Sequence, residues 1–230
     1  METLREFAQV QRQQLPDDVA TYVRELIISG RVRSGTFLRI EAIAKALNIS
    51  TTPVREGLLQ LQSESFVRLV PRRGFVVLGF TKQDVRDIFW AQALLAGELA
   101  RRAAGAMTDE TIAEIQLNEE TYERAVNAGV PSLYHKAGHD FHRAINRSSG
   151  STRLSMMLGT MVRQLPNRFY GMIEGQVHDT IMYHTKIIEA LRRRDSSEAQ
   201  QWMRDHIVAG GEHLINHLTS EGIWQDDQAG

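Results

Sequence analysis

The chain has no cysteine among its 230 residues. Disulfides, thiol nucleophiles and cysteine-based zinc sites are therefore excluded, and the composition suits a reducing, cytoplasmic location. No apolar run approaches the roughly 18 residues needed to cross a bilayer, so no membrane association is expected. Residues Met1 to Leu15 are polar and carry both signs of charge, unlike a signal or transit peptide. His-Glu-x-x-His, paired carboxylates and nucleophile motifs are also missing, which argues against an enzyme. Histidine is absent from the first 134 residues and then occurs eight times, at 135, 139, 142, 178, 184, 206, 213 and 217. Two chemically different halves account for this most simply.

Net charge is almost nil, at -1, but it conceals an asymmetry. Between Arg31 and Gly74, eight bases (Arg31, Arg33, Arg39, Lys45, Arg55, Arg68, Arg72, Arg73) face three acids (Glu41, Glu56, Glu64). From residue 80 onward, 16 bases face 20 acids. A basic block on a near-neutral chain points to a polyanion partner for that block. Taken alone, such a block is more often a solvated face.

What is present is ordinary for a globular chain: 42% hydrophobic and 24% charged residues, enough for one large core or two modest ones. Residues 1–15 lack strong periodicity and read as a flexible arm. Pro16-Asp17-Asp18 reads as a helix start, followed at helical spacing by Val19, Val23, Leu26 and Ile27 up to Gly30. Ser34-Gly35 marks a turn. Ile40, Ile43, Ala44 and Leu47 predict a short amphipathic helix. Asn48-Ile49-Ser50 predicts a tight turn, in which Asn accommodates the left-handed conformation. Thr52 as cap and Pro53 at the first helical position open a second helix, with Val54, Leu58 and Leu61 as its buried stripe. Val67–Val70 and Phe75–Leu78 are β-prone runs around Pro71-Arg72-Arg73-Gly74, a hairpin with a basic tip.

Gly79-Phe80 reads as a domain junction, and Thr81 to Asp84 has the form of a helix-capping signal. Helices are predicted roughly at 82–105, 109–128, 132–147, 151–170, 175–193 and 196–219, with Thr108, Ser132 and Asp195 as N-caps. The expected fold is mainly α: an arm (1–15), a winged helix-turn-helix (16–79), an antiparallel all-helical bundle (80–224) and a frayed tail (225–230).

Two short helices, a tight turn and a following hairpin are the parts that a winged helix-turn-helix sets against double-stranded DNA. Ser50, Thr51, Thr52 and Pro53 lie at the start of the second helix, where hydroxyls and free backbone N–H groups suit phosphates. Arg55, one turn in, can reach a guanine edge. Arg72, Arg73 and Gly74 form a basic tip able to approach a minor groove or phosphate. Arg39, before the first of the two helices, is a candidate phosphate contact. A lone helical Arg is usually a solvated charge; here it is the joint placement of these bases that points to DNA.

The pattern Ile40-x-x-Ile-Ala-x-x-Leu-Asn-Ile-Ser-x-Thr-Pro-Val-Arg-Glu-Gly-Leu-x-x-Leu-x-x-Glu, then Phe66-Val67 and Pro71-x-Arg-Gly, resembles the signature of GntR-family regulators. Its most specific part is Thr52 to Glu56. The resemblance implies a homodimer on a short palindromic operator. The residue after the turn Ser is often Arg in that family and is Thr51 here, so base readout there is expected to differ.

The C-terminal region resembles the all-helical FCD-type effector domain of the FadR-like branch. The matching residues are Phe141-His142-Arg-Ala-Ile145, His184 ahead of Ile187-Ile188-x-Ala-Leu-x-x-x-Asp195, and His206-Ile207. The resemblance implies a divalent metal held by one Asp and three His, with His142, His184 and His206 at the three His positions. Imidazole ligands suit a transition metal, Zn or Ni above all. The Asp position is Gly138. His139 lies about 60° from His142 on the same helical face, whereas Asp140 points roughly opposite. A four-His site with His139 is the expected substitute. A three-His site completed by water or effector, and buried histidines without metal, are the alternatives.

Relatives carry an Arg and a Glu where this chain has Gln92 and Ala96. Gln92 can hydrogen-bond but supplies no charge, so the small-molecule effector, expected to be a carboxylate-type metabolite, is either less anionic or held by a base elsewhere, with Arg143, Arg163 and Arg168 as candidates. Tyr134, Tyr170 and Tyr183 are candidate pocket walls, although aromatics at helical spacing are more often core. The sequence thus predicts an effector-controlled transcription regulator, a repressor. A regulator sensing the metal itself is the alternative, and a metalloenzyme a weaker one.

Overall fold

A computed structural model describes residues 2–174 and 177–224, with side chains described for 15–173 and 178–224. The chain forms two compact units, Met1–Thr81 with Gly222–Gly230, and Lys82–Glu221. The junction expected after residue 79 therefore lies after Thr81, and residues 222–224 belong to the first unit instead of the second. Packing explains this. Ile223 lies close over Gly30, and Trp224 donates its Nε1–H to the Phe80 carbonyl at 3.2 Å. The frayed tail expected at 225–230 lies outside the described residues.

The first unit comprises α1 (Glu2–Ile28), β1 (Phe37–Leu38), α2 (Ile40–Leu47), α3 (Thr51–Ser63), β2 (Val67–Val70) and β3 (Gly74–Val77). Instead of an arm and a helix start at Pro16, α1 is helical from Glu2 and contains Pro16. Proline removes one backbone donor there, but residues 2–15 are dominated by Glu, Leu, Arg, Gln and Ala, which favour helix. Val19, Ala20, Val23, Ile27 and Ile28 form the buried stripe of α1, and Val54, Leu58 and Leu61 that of α3. Arg24 is only 2% exposed. Its Nη2 and Nε donate to Glu64 Oε2 at 2.6 and 3.1 Å, so the buried cation is paired.

The sheet has the order β1-β3-β2 and is antiparallel throughout. Phe37 opposes Val76, and Val67 opposes Val77. Strand β1 has no signature in the sequence, because two residues are too few to display alternation.

The second unit is all helical: α4 (Lys82–Ala106), α5 (Asp109–Asn127), α6 (Pro131–Ser148), α7 (Thr152–Val162), α8 (Asn167–Glu174), α9 (Val177–Arg192) and α10 (Ser196–Ser220). The single helix expected over 151–170 is two, because Pro166 cannot donate to the Val162 carbonyl and helix α7 ends at that residue. The Val162 carbonyl instead accepts the Leu165 N–H at 3.2 Å and the Tyr170 hydroxyl at 3.1 Å. Residues 175–176, in the predicted 175–193 helix, lie outside the described residues. Thr108 and Asp195 cap as expected, accepting from the backbone N–H of Thr111 and Glu198. Ser132 does not, since α6 starts one residue earlier at Pro131, whose fixed φ suits the first helical position.

Helices α4 and α10 run antiparallel and approach closely through small residues. A β-carbon on Gly211 would meet Phe89 at 2.8 Å, and one on Gly97 would meet Arg204 at 2.5 Å. Around this pair, Leu99, Ala103, Ile115, Phe141, Ile187 and Met203 build a common core. No described helix is long and apolar enough to cross a membrane.

Candidate nucleic-acid interface and candidate metal centre

The turn between α2 and α3 depends on Asn48, which adopts φ 54° and ψ 45°. Such a left-handed residue reverses the chain sharply, and Asn tolerates it better than most. Ser50, not Thr52, occupies the N-cap position of α3, and no side chain caps it. Pro53 is consequently third in the helix, still within the first turn, where backbone N–H groups have no intrahelical acceptor. Pro53 is buried and therefore shapes the entry to α3 without presenting a surface to a ligand. Ser50, Thr51, Thr52 and Arg55 are exposed on that end of α3, and Arg39 is exposed before α2.

At the hairpin, the Arg73 N–H donates to the Val70 carbonyl at 3.0 Å. Pro71 has a fixed negative φ, and Arg72 adopts φ 64°. That combination is a type II turn, whose third position ordinarily requires glycine. Arg72 is held exposed in a conformation that a non-glycine residue rarely adopts. The Arg73 guanidinium lies 4.2 Å from the centre of the Phe37 ring, which fixes its direction. Gly74, at φ 93°, begins β3.

In the second unit, His142 on α6, His184 on α9 and His206 on α10 place ligating nitrogens within 4.8 Å of one another. The Nε2 atoms of His142 and His206 are 3.3 Å apart. A tetrahedral site with bonds of about 2.05 Å has ligand–ligand edges of about 3.3 Å. His184 Nε2 is buried and has no hydrogen-bond partner among the described residues. An orphaned imidazole nitrogen beside two others at that spacing fits a divalent transition ion. Burial, with smaller contributions from His184 and His139, pushes the His142 ring down to about 3. His206 is likewise held well below the usual histidine range, chiefly by burial. Both are thus neutral at pH 7, the form that binds metal.

His139 does not join this group among the described residues. It is exposed on α6 and only lines the adjoining cavity, because one turn of helix carries its ring away from the level where the other three meet. Sequence reasoning missed Glu119 on α5. Its Oε2 lies 2.7 Å from His184 Nδ1, with both side chains buried. No local motif marks this acid, which is 65 residues from its partner.

The cavity beside the histidines has a volume of about 630 Å³. Gln92, Lys136, Arg143, Arg147, Tyr170 and Thr180 are among its lining residues. Gln92 is buried and donates to the Tyr170 hydroxyl at 3.0 Å. Burial pushes the Tyr170 phenol up, so it remains protonated and can donate to Val162. Arg163 is not part of the lining. The break at Pro166 ends α7 beside it, and its guanidinium folds back to the Thr160 hydroxyl at 3.1 Å. Arg168 is absent from the lining too and stacks over Phe169. Of the three tyrosines considered, Tyr170 lines the cavity. Tyr134 packs edge-on against Tyr122, and Tyr183 lies tilted against Trp202 and His206.

A winged helix-turn-helix with exposed bases, joined to an all-helical unit with an internal cavity, is the architecture of a ligand-binding transcription regulator. The chain belongs to the GntR family: residues 15–77 match the bacterial regulatory proteins of the gntR family, and residues 87–209 match the FCD domain. It is 29% identical over 139 residues to the gluconate operon transcriptional repressor of Bacillus licheniformis, covering 60% of this chain and 57% of that one. The match therefore spans little more than half of that repressor. The HTH-type transcriptional repressor GlaR of Escherichia coli is 26% identical over 200 residues, covering 81% and 90% of the two chains. Among solved structures, E. coli McbR/YncC superposes with a TM-score of 0.61 at 21% identity, covering 90% of this chain and 98% of that one. That likeness supports the fold alone. Domains and relatives alike are those of transcription regulators, not enzymes.

Proposed function

We propose that this regulator is a repressor whose operator affinity is set by a small carboxylate-type effector bound beside a divalent metal ion in the second unit. The observation that carries the reading is the convergence of His142, His184 and His206 on the wall of a cavity of about 630 Å³. These three residues would hold Zn or Ni, which would supply a Lewis-acid centre for a carboxylate. Arg143 and Arg147 line the same cavity, and neither has a side-chain hydrogen bond or ion pair among the described residues. Arg143 also acts on the nearby Asp140 carboxylate. The positive charge of the two arginines supports an anionic effector, with Gln92 and Tyr170 offering neutral polar contacts. The cavity far exceeds the size of an ion, which favours an organic signal over the metal itself.

In the first unit, Ser50, Thr51, Thr52 and the free N–H groups of α3 would meet phosphates while Arg55 reads a base edge. Arg72 and Arg73 at the hairpin, and Arg39 before α2, would hold the flanking backbone. Membership of the family supports two copies on a palindromic operator, a cytoplasmic setting and effector control of half-site spacing. The printed names of the Bacillus licheniformis and GlaR relatives support repression.

The test is operator binding by fluorescence anisotropy on sites selected from genomic fragments, with native mass spectrometry of the same sample. A dimer carrying metal, with operator affinity that falls on adding a small carboxylate, is expected. Affinity that responds to chelation and to no carboxylate would make the ion the signal. No preference for any site over random DNA would overturn the assignment of the first unit.

A further inference from the structure

Glu119 is buried and acidic, and it belongs to α5, which contributes none of the three imidazoles. Its Oε2 approaches His184 Nδ1 at 2.7 Å, with side-chain exposures of 7% and 1%. A carboxylate acceptor keeps the imidazole proton on Nδ1. The opposite nitrogen, Nε2, then carries a free lone pair, and it is the atom left without a partner beside His142 and His206. The ring is held from its faces as well. Phe141 stacks on it at 3.8 Å between centroids and 13° between planes, and Tyr122 lies at 5.7 Å. Among the described residues, no carboxylate joins the three imidazoles themselves. A cation held by neutral ligands alone would thus lack any compensating charge in contact with it, and Glu119 stands directly behind one of those ligands.

We propose that Glu119 is the positioning residue of this centre: from behind His184 it fixes the Nδ1–H tautomer and supplies the negative charge that the ligand set lacks. The inference rests on the metal reading above. Its physical basis is general, since a carboxylate hydrogen-bonded to the outer nitrogen of a ligating histidine orients the ring and raises its basicity. An acid serves here better than an amide, because an amide can hold the ring but adds no charge.

The experiment is zinc titration of the full-length chain against a competing chelator, in the wild type, Glu119→Gln and Glu119→Asp, with nitrogen NMR of His184 in the zinc-free wild type. The expected results are an Nδ1–H tautomer in the zinc-free wild type, zinc affinity about 10–100-fold weaker in Glu119→Gln, and partial recovery in Glu119→Asp. Equal zinc affinity in a folded Glu119→Gln protein would overturn the inference and leave the metal reading intact. An Nε2–H tautomer in the zinc-free wild type would also overturn it, whether or not the variants fold. No zinc uptake by the wild type would remove the metal reading and this inference together.

Discussion

Gly57 in α3 and Pro16 in α1 are in backbone contact: a β-carbon on Gly57 would sit 2.7 Å from the Pro16 carbonyl oxygen and 2.9 Å from Val19 Cβ. Neither neighbour is the end of a flexible side chain, so the two helices would have to separate to admit a methyl group. The change Gly57→Ala gains up to about 1 kcal/mol of helix propensity. It is expected to lose about 1–3 kcal/mol through overpacking. Urea unfolding should therefore show a lower midpoint for the first unit, and an unchanged midpoint would contradict this helix crossing.

Arg72 at φ 64° makes an opposite prediction for stability and for binding. Glycine adopts that conformation without strain, so Arg72→Gly should stabilise the hairpin by about 1 kcal/mol. The same change removes a base from the tip and should weaken DNA binding. Parallel measurement of melting and of anisotropy checks both signs, and tighter DNA binding would place the tip away from the duplex.

Arg55 and Arg39 should separate base readout from phosphate contact. Replacing Arg55 by Ala should lose about 1–3 kcal/mol of discrimination between operator and altered sites. Replacing Arg39 by Ala should weaken binding to all sequences alike and lower the salt slope by about 1. Retained discrimination in Arg55→Ala would show that another residue reads the base.

His184 and His139 should differ sharply in their effect on bound metal. His184→Ala removes one of three converging nitrogens, whereas His139→Ala removes a residue that only lines the cavity. Native mass spectrometry should find the ion reduced or lost in the first variant and retained in the second. Loss of the ion in both variants would restore the four-histidine arrangement.

Tyr170 joins α8 to α7 and α4 through Val162 and Gln92. Tyr170→Phe strips a donor from the Val162 carbonyl and an acceptor from buried Gln92. The expected loss is about 1–3 kcal/mol in the stability of the second unit, read by thermal unfolding. A melting temperature equal to that of the wild type would show that water replaces both bonds.

Much of this architecture is legible in one dimension, because its causes are local. Asn48 before Ser50 marks a left-handed turn, and the spacing of Val54, Leu58 and Leu61 marks the buried face of α3. The same locality misled at Pro16, where a proline that can open a helix lies inside one. Pro166 carries the opposite signal, a break inside a stretch of 20 residues whose periodicity predicts one helix. The caps at Thr108 and Asp195 are legible in the sequence, since a cap needs only the next three residues.

From its residue order alone, the chain determined that bases cluster on a turn, a helix start and a hairpin tip, and that three histidines recur on helical segments far apart. Helical periodicity specifies which face a residue occupies, and that depends only on neighbours one turn away. Tertiary structure alone decided which faces meet: that His139 stays outside the group, that Glu119 pairs with His184, and that Trp224 returns to Phe80. Those meetings depend on how whole helices pack, through contacts such as Gly97 on Arg204 and Gly211 on Phe89, and no spacing along the chain records them.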